Sequence, residues 1–253
     1  FAGTYFPKHS RRGVIGFIEL LERISLLWNS DRARLTEAGE HITASIADAQ
    51  NMDCGEPSEK LLQDACDALC GSFDQRWGGF GFAPKFPTPH NLMFLMRCDK
   101  TELVCKTLTA MARGGIFDQI GGGFSRYSTD EKWLKPHFEK MLYDNALLII
   151  AYTESYMRTH NRFYSKIAER TADYVIRELQ SPDGGIYCGQ DADSDGVEGK
   201  YYTFTPGEIK SVLGDEDGED FCRLYGINAR ISIPNLIGSE SDPWPSDDAR
   251  IVK

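Results

Sequence analysis

The sequence holds no run of eighteen apolar residues and no basic-then-apolar leader, so it predicts neither a membrane-crossing helix nor a secretory signal. Positive charge is in deficit. Against 38 Asp and Glu stand 28 Lys and Arg, giving a net charge of −10, and the basic residues do not cluster. Nucleic-acid affinity comes mainly from neutralising phosphates, so this balance excludes a dedicated nucleic-acid binder and disfavours polyanionic substrates. C-x-x-C pairs are absent from the seven cysteines, whose number is odd. That pattern reads as the scattered reduced thiols of a cytoplasmic protein, not as a disulfide framework. QIGGGFS lacks the Lys and the preceding strand of a phosphate loop, and GGFGF does not fit the dinucleotide pattern. Ser125, Ser128 and Ser194 lack a nucleophile elbow. The sequence therefore predicts no cofactor and no metal.

What is present is helix punctuated by glycine. The 253 residues fit one large domain or two smaller ones. Phe17, Leu20, Leu21, Ile24, Leu27 and Trp28 form one apolar stripe, predicting a helix over 16–28, and a second helix spans 32–50. NMDCGEP (51–57) reads as a loop and a candidate boundary between units. Further helices are predicted over 58–73, 91–98, 102–113, 136–159, 162–179, 207–213 and 219–225. Pro136 suits the first position of its helix. FAGTYFP reads as a strand, and the stretch around GQDADSDGVEGKYYTF (189–204) as a β-hairpin. The opening Phe and the unclosed end SDDARIVK read as a fragment of a longer protein.

Three Gly-Gly turns recur: WGGFG at 77–81, RGGIFD at 113–118 and DGGIY at 183–187. Their spacings, roughly 36 and 70 residues, lie near one and two helical-hairpin units. Stacked helix pairs would collect these loops on one face, in an open solenoid or a closed toroid.

The densest chemistry lies in SRYSTDEKWLKPHFEKMLYDNALL (125–148). On a helix starting at Pro136, His137, Met141 and Asp144 share one face, with Glu139 and Tyr143 on the neighbouring stripe. Arg126, Tyr127 and Trp133 precede it. Such a set could hold a polar ring such as a sugar, aromatic faces stacking on C–H groups while carboxylates accept hydroxyl protons. His137, Glu139 or Asp144 could exchange protons. Lys85 and His90, in the proline-rigid APKFPTPH, either face the same cleft or belong to an architectural loop. Asp191, Asp193, Asp195 and Gly196 match the first half of a calcium loop, but its twelfth position is Tyr202 where a bidentate acid is needed. Asp191, Asp193 and Glu198 read better as rim carboxylates of a cleft.

FGFAPKFPTPH, GGIFDQIGGGFSRYSTDEKWLKPHFEKMLYDNALL and DGGIYCGQDADSDGVEGKYYTFTPGEI together resemble a family of thioredoxin-domain proteins of unassigned activity, which includes the spermatogenesis-associated protein 20 group. The resemblance implies an N-terminal thioredoxin-like domain joined to an α/α toroid like those of six-hairpin glycosidases and N-acylglucosamine 2-epimerases. Residues 1–28 would then be the closing strand and helix of the first domain, its redox cysteine pair lying upstream. Residues 29–253 would form an incomplete, mainly α toroid with one β-hairpin. INARISIPNLIG (227–238) departs from the family's usual GNFEG-like segment there. Arg126, Trp133, His137, Glu139, Asp144, Asp191, Asp193 and Glu198 map onto the family's cleft motifs. The resemblance implies a hydrolase-like or epimerase-like activity on a sugar or another hydroxyl-rich small molecule; the alternative is a protein-binding or regulatory module coupled to a redox domain.

Overall fold

The computed structural model describes residues 6–11, 13–50, 56, 58–228 and 231–239. The strand expected over FAGTYFP and the loop expected at 51–57 fall largely outside the described residues. By internal contacts the chain divides into two compact units, 1–58 and 59–253. Among the described residues no helix is long and apolar enough to cross a membrane.

The first unit carries α1 (Phe17–Ser30) and α2 (Arg32–Gln50). Asp31 separates them. Its N–H closes α1 on the Leu27 carbonyl at 2.8 Å, and its Oδ1 accepts from the Arg34 N–H at 3.2 Å in the first turn of α2. Phe6 packs its ring against Phe17, with centroids 6.0 Å apart.

The second unit is built from helix pairs. After α3 (Glu59–Gly71) come α4 (Pro89–Arg97) and α5 (Thr101–Arg113), then α6 (Leu142–Thr159) and α7 (Arg162–Tyr174), and finally α8 (Pro206–Leu213) and α9 (Asp215–Leu224). Each pair packs together, and α6 also packs on α4 and α5. The α6–α7 turn is tight because His160 adopts φ 55° and the Asn161 side chain caps α7, accepting from the Phe163 N–H at 3.0 Å. A capping box between Thr205 and Glu208 starts α8. α7 continues as a π-helical turn over Val175–Leu179.

Leu92, Leu95, Leu108, Met111, Phe117, Phe124, Trp133, Leu148, Tyr152 and Ile167 share the main core. Each buried side chain of this kind contributes about 1.5–3 kcal/mol relative to exposure. Tyr152 stacks on Phe124 at 5.4 Å and donates its hydroxyl to the Leu108 carbonyl at 2.7 Å, so its polar end is satisfied.

A repeat unites the first two glycine loops, though with a different register from the Gly-Gly spacing. FDQRWGGF (73–80) and FDQIGGGF (117–124) lie 44 residues apart and fold alike. Phe73 bridges Phe80, and Phe117 bridges Phe124. Asp74 Oδ1 accepts the Arg76 and Trp77 N–H groups, as Asp118 Oδ1 accepts those of Ile120 and Gly121. A buried lysine completes each loop. Lys85 binds Asp74 and donates to the Gly78 carbonyl at 2.8 Å, while Lys140 binds Asp118 and the Gly122 carbonyl, both at 2.9 Å. The second member of the repeat is thus GGGF at 121–124, not RGGIFD at 113–118. At the third turn, 180–186, Gln180 bridges Ile186 without an aspartate–lysine pair at that place.

Short antiparallel pairs tie successive loops together. Lys85 bridges Ser128, β1 (Tyr127–Ser128) pairs with β2 (Pro136–His137), and β3 (Lys140–Met141) pairs with β4 (Gly189–Gln190). All three loops therefore gather at one end of the helix pairs. The helix expected from Pro136 begins only at Leu142. Residues 136–141 are extended because their alternation serves two sides, with Lys140 buried on Asp118 while Glu139 turns to Arg126. The hairpin expected near 189–204 is present as β5 (Asp193–Ser194) and β6 (Val197–Glu198). Asp195 and Gly196 join them with φ 52° and 73°, the positive pair that a two-residue type I′ turn requires.

Candidate functional site

The extended run 136–141 brings together residues that helical spacing would have arranged differently. His137 and Glu139 share a face by strand alternation, so the expected His137–Met141–Asp144 helical stripe does not exist. The Arg126 N–H donates to the Glu139 carbonyl at 2.8 Å and its guanidinium Nη1 lies 2.9 Å from Glu139 Oε2. This pairing with Glu139 raises the Arg126 pKa above its usual value. His137 sits between two carboxylates: Nδ1 is 2.6 Å from Glu198 Oε1, and Nε2 is 3.7 Å from Glu139 Oε2. The imidazole remains 29% exposed, so a ligand can reach it.

Gly199, at φ 73°, helps bring Glu198 to this position. A Cβ there would lie 2.3 Å from the Phe138 ring, so only glycine lets the β5–β6 hairpin close on the 136–141 segment. Along the other edge of the cluster, rings are layered. Phe86 stacks on Tyr127 at 4.8 Å and Tyr127 on His137 at 5.1 Å, each tilted by less than 30°. Phe86 was not singled out in the sequence; the proline-rich loop that carries it gave no periodic signal.

Asp144 occupies the first turn of α6, half-buried, and its Oδ2 has no hydrogen-bond partner among the described residues. Burial pushes its pKa up to about 6; Arg126 opposes this and Glu139 adds to it. A carboxyl group titrating near neutrality close to the Arg126–Glu139 ion pair, which in turn meets His137, is an acid–base arrangement.

Other expected contacts are not made. Trp133 is wholly buried, with its Nε1 donating to the Trp77 carbonyl at 2.9 Å, so it cannot stack on a ligand. Its ring occupies the space a Cβ at Gly79 would need, only 2.5 Å away. Lys85 is likewise consumed by Asp74 and the Gly78 carbonyl and is 1% exposed, which corrects its placement in the cleft. Asp191 accepts from the Asp193 N–H at 3.3 Å, and Asp193 lies opposite Glu198 across the hairpin. Of the rim carboxylates, Glu198 is the one that touches His137. Asp195 pairs with Lys200 at 2.7 Å. Among the described residues no group of three or more His, Cys, Asp or Glu is arranged to hold a metal ion.

Fold and site together define a mainly α protein of paired helices whose glycine-rich loops converge on a solvent-accessible, histidine-centred carboxylate cluster. No family model matches the chain. It is similar to spermatogenesis-associated protein 20, with 36% identity to the human protein over 83% of this chain and 30% of that one. The mouse protein is also 36% identical, over 95% of this chain and 34% of its own length. An uncharacterised protein of Caenorhabditis elegans is 35% identical over 85% of this chain and 32% of its own. The chain thus spans about a third of the length of the curated relatives it matches. Among solved structures, cellobiose 2-epimerase from Bacillus thermoamylovorans aligns over 64% of this chain and 52% of its own, at 13% identity and a TM-score of 0.43.

Proposed function

We propose that the cluster of Arg126, His137, Glu139, Asp144 and Glu198 is the acid–base wall of a saccharide site, and that the reaction it serves is epimerase-like. The carrying observation is Asp144, a half-buried carboxyl group with a pKa of about 6 and an unpartnered oxygen beside the His137 cluster. Moving a proton on carbon next to a sugar carbonyl needs a base at the carbon and an acid at the oxygen. His137 is the base, and Glu198 and Glu139 on either side stabilise the imidazolium that forms. Asp144, protonated at and below pH 6, supplies the acid. Arg126, fixed by Glu139, offers its remaining N–H groups to hydroxyl or developing enediolate oxygens. The Phe86–Tyr127 stack presents a flat edge for the sugar's C–H face. Asp191 and Asp193 belong to the outer rim, where they would meet distal hydroxyls.

On the same reading, residues 1–28 close a thioredoxin-like domain and 29–253 form part of an α/α toroid. A hydrolase would use the same carboxyl groups without exchanging any carbon-bound hydrogen. The test is NMR of glucose, mannose and N-acetylglucosamine in D2O with the full-length protein. Deuterium entering at the carbon beside the carbonyl supports epimerisation; new reducing ends from oligosaccharides without exchange support hydrolysis.

A second reading, a protein-binding module, draws on Phe86, 48% exposed where it stacks on Tyr127, and on Phe82 in the same loop, 84% exposed. It predicts that a Phe82→Ser, Phe86→Ser variant of the full-length protein loses a partner while sugar chemistry is absent from both forms.

A further inference from the structure

A second concavity lies on the opposite side of the 136–141 segment from the His137 cluster. Side chains alternate along an extended run, so His137 and Glu139 face the cluster while Phe138 turns to the other side. There it lines a cavity of about 310 Å³ with Phe117, Ser125, Tyr202, Phe204 and Ile233. This volume is within the range of small-molecule sites.

The walls are fixed by backbone bonds. Phe204 and Ser232 exchange N–H to carbonyl bonds at 2.9 Å in both directions, the Asn235 N–H binds the Tyr225 carbonyl, and the Leu236 N–H binds the Arg113 carbonyl. These contacts hold Ile233 and Pro234 against the second glycine loop. Phe138 and Tyr202 stack within 5° of parallel at 5.6 Å, so one wall is flat.

Charge in the cavity is already neutralised. Asp118 lines it, but its oxygens are taken by Lys140 and by the N–H groups of Ile120 and Gly121. Ser125 differs. It is 4% exposed, its backbone N–H is spent on the Ile116 carbonyl, and its hydroxyl has no hydrogen-bond partner among the described residues. A hydroxyl that lines the cavity without a protein partner can accept a hydrogen bond from a ligand. A sugar would bring several hydroxyls against walls that are chiefly aromatic and aliphatic, leaving most of them unpaired.

We propose that this cavity is a ligand site separate from the His137 cluster. It takes a flat, uncharged aromatic molecule whose single hydroxyl donates to Ser125 Oγ. The inference does not depend on the saccharide reading of the other face.

The test is two-dimensional NMR on the 253-residue chain with 2-naphthol, 2-methoxynaphthalene and methyl glucoside as probes. 2-Naphthol is expected to shift the signals of Ser125, Phe138, Tyr202 and Ile233 saturably. 2-Methoxynaphthalene keeps the rings and loses the donor, so it should bind at least about tenfold more weakly. Ser125→Ala should remove the preference between the two naphthalenes, and Ile233→Trp, filling the cavity, should abolish binding in a chain whose circular dichroism is unchanged. Methyl glucoside should leave these signals in place. No saturable shift with 2-naphthol, equal binding of the two naphthalenes to the unaltered chain, or a preference for the glucoside would each overturn the proposal. His137→Gln leaves this cavity intact, so failure here and failure of the saccharide reading are separately visible.

Discussion

Replacing Asp144 by Asn gives a pH-dependent change in stability whose sign follows from the structure. An unperturbed Asp has a pKa of 3.8, and burial raises Asp144 to about 6. Below pH 3.8 the group is protonated in both folded and unfolded chains and contributes nothing to the difference. As pH rises through this window, the unfolded chain releases its proton more readily, so the native state loses stability relative to it. The full shift of about two pKa units corresponds to roughly 3 kcal/mol above pH 6. Asp144 is only half-buried and solvent screens part of this, so about 1–2 kcal/mol is the expected size. Asn cannot ionise and keeps a similar shape. Asp144→Asn should therefore raise urea stability by that amount at pH 7.5 and leave it almost unchanged at pH 4. Denaturation midpoints at the two pH values, with matched slopes, provide the assay. Equal effects at both pH values, or a loss at pH 7.5, would refute the assignment of a desolvated, unpartnered carboxyl group.

Lys140→Met strands the buried Asp118 carboxylate and should cost about 3–5 kcal/mol by denaturation, whereas the Asp118→Asn, Lys140→Met pair should recover part of that loss. Asp118 is held below the ordinary carboxylate range because the Lys140 charge and two backbone N–H bonds outweigh its burial. Its contribution is present above the ordinary Asp pKa and is lost as pH falls through the lowered value, which an acid titration followed by circular dichroism will register. Trp133→Ala should destabilise the second unit by about 3–5 kcal/mol, measured as a fall in midpoint, since it empties a wholly buried site and frees the Trp77 carbonyl. Gly199→Val forces a side chain into the Phe138 ring at a positive φ and should separate Glu198 from His137. A change in the NMR chemical shifts of the His137 ring, which loses its 2.6 Å contact with Glu198, checks it.

Helices were the readable part of the sequence. The stripes of α1, α5, α6 and α7 follow a period of 3.6, and their turns carry Gly or Asn, so their existence follows from local pattern. The segment 136–141 escaped because Pro136 is equally at home at a helix start and in an extended strand. What decides between them is the burial of Lys140 on Asp118, a contact 22 residues distant that local periodicity does not encode. The Gly-Gly turns drew attention to the right loops but in the wrong register. The informative repeat is FDQ-x-x-GGF, in which the aspartate and the final Phe matter as much as the glycines. His137, Glu139, Arg126, Tyr127 and Glu198 were legible as polar and aromatic residues crowded into long loops, and the structure brings all five into contact. Trp133 and Lys85 looked the same in sequence, because burial of an amphipathic side chain depends on partners elsewhere, here the Trp77 carbonyl and Asp74.

The central claim is that His137, between Glu139 and Glu198, moves a proton on a sugar with Asp144 as its acid. The most direct measurement is solvent deuterium entering carbon-bound positions of glucose, mannose or N-acetylglucosamine, followed by NMR with the full-length protein and its His137→Gln and Asp144→Asn variants. The account predicts incorporation by the unaltered protein, loss by at least about a hundredfold in His137→Gln, and a slower rate that no longer falls as pH rises through 6 in Asp144→Asn. No incorporation with any of the three sugars, or incorporation that survives His137→Gln undiminished, would contradict it.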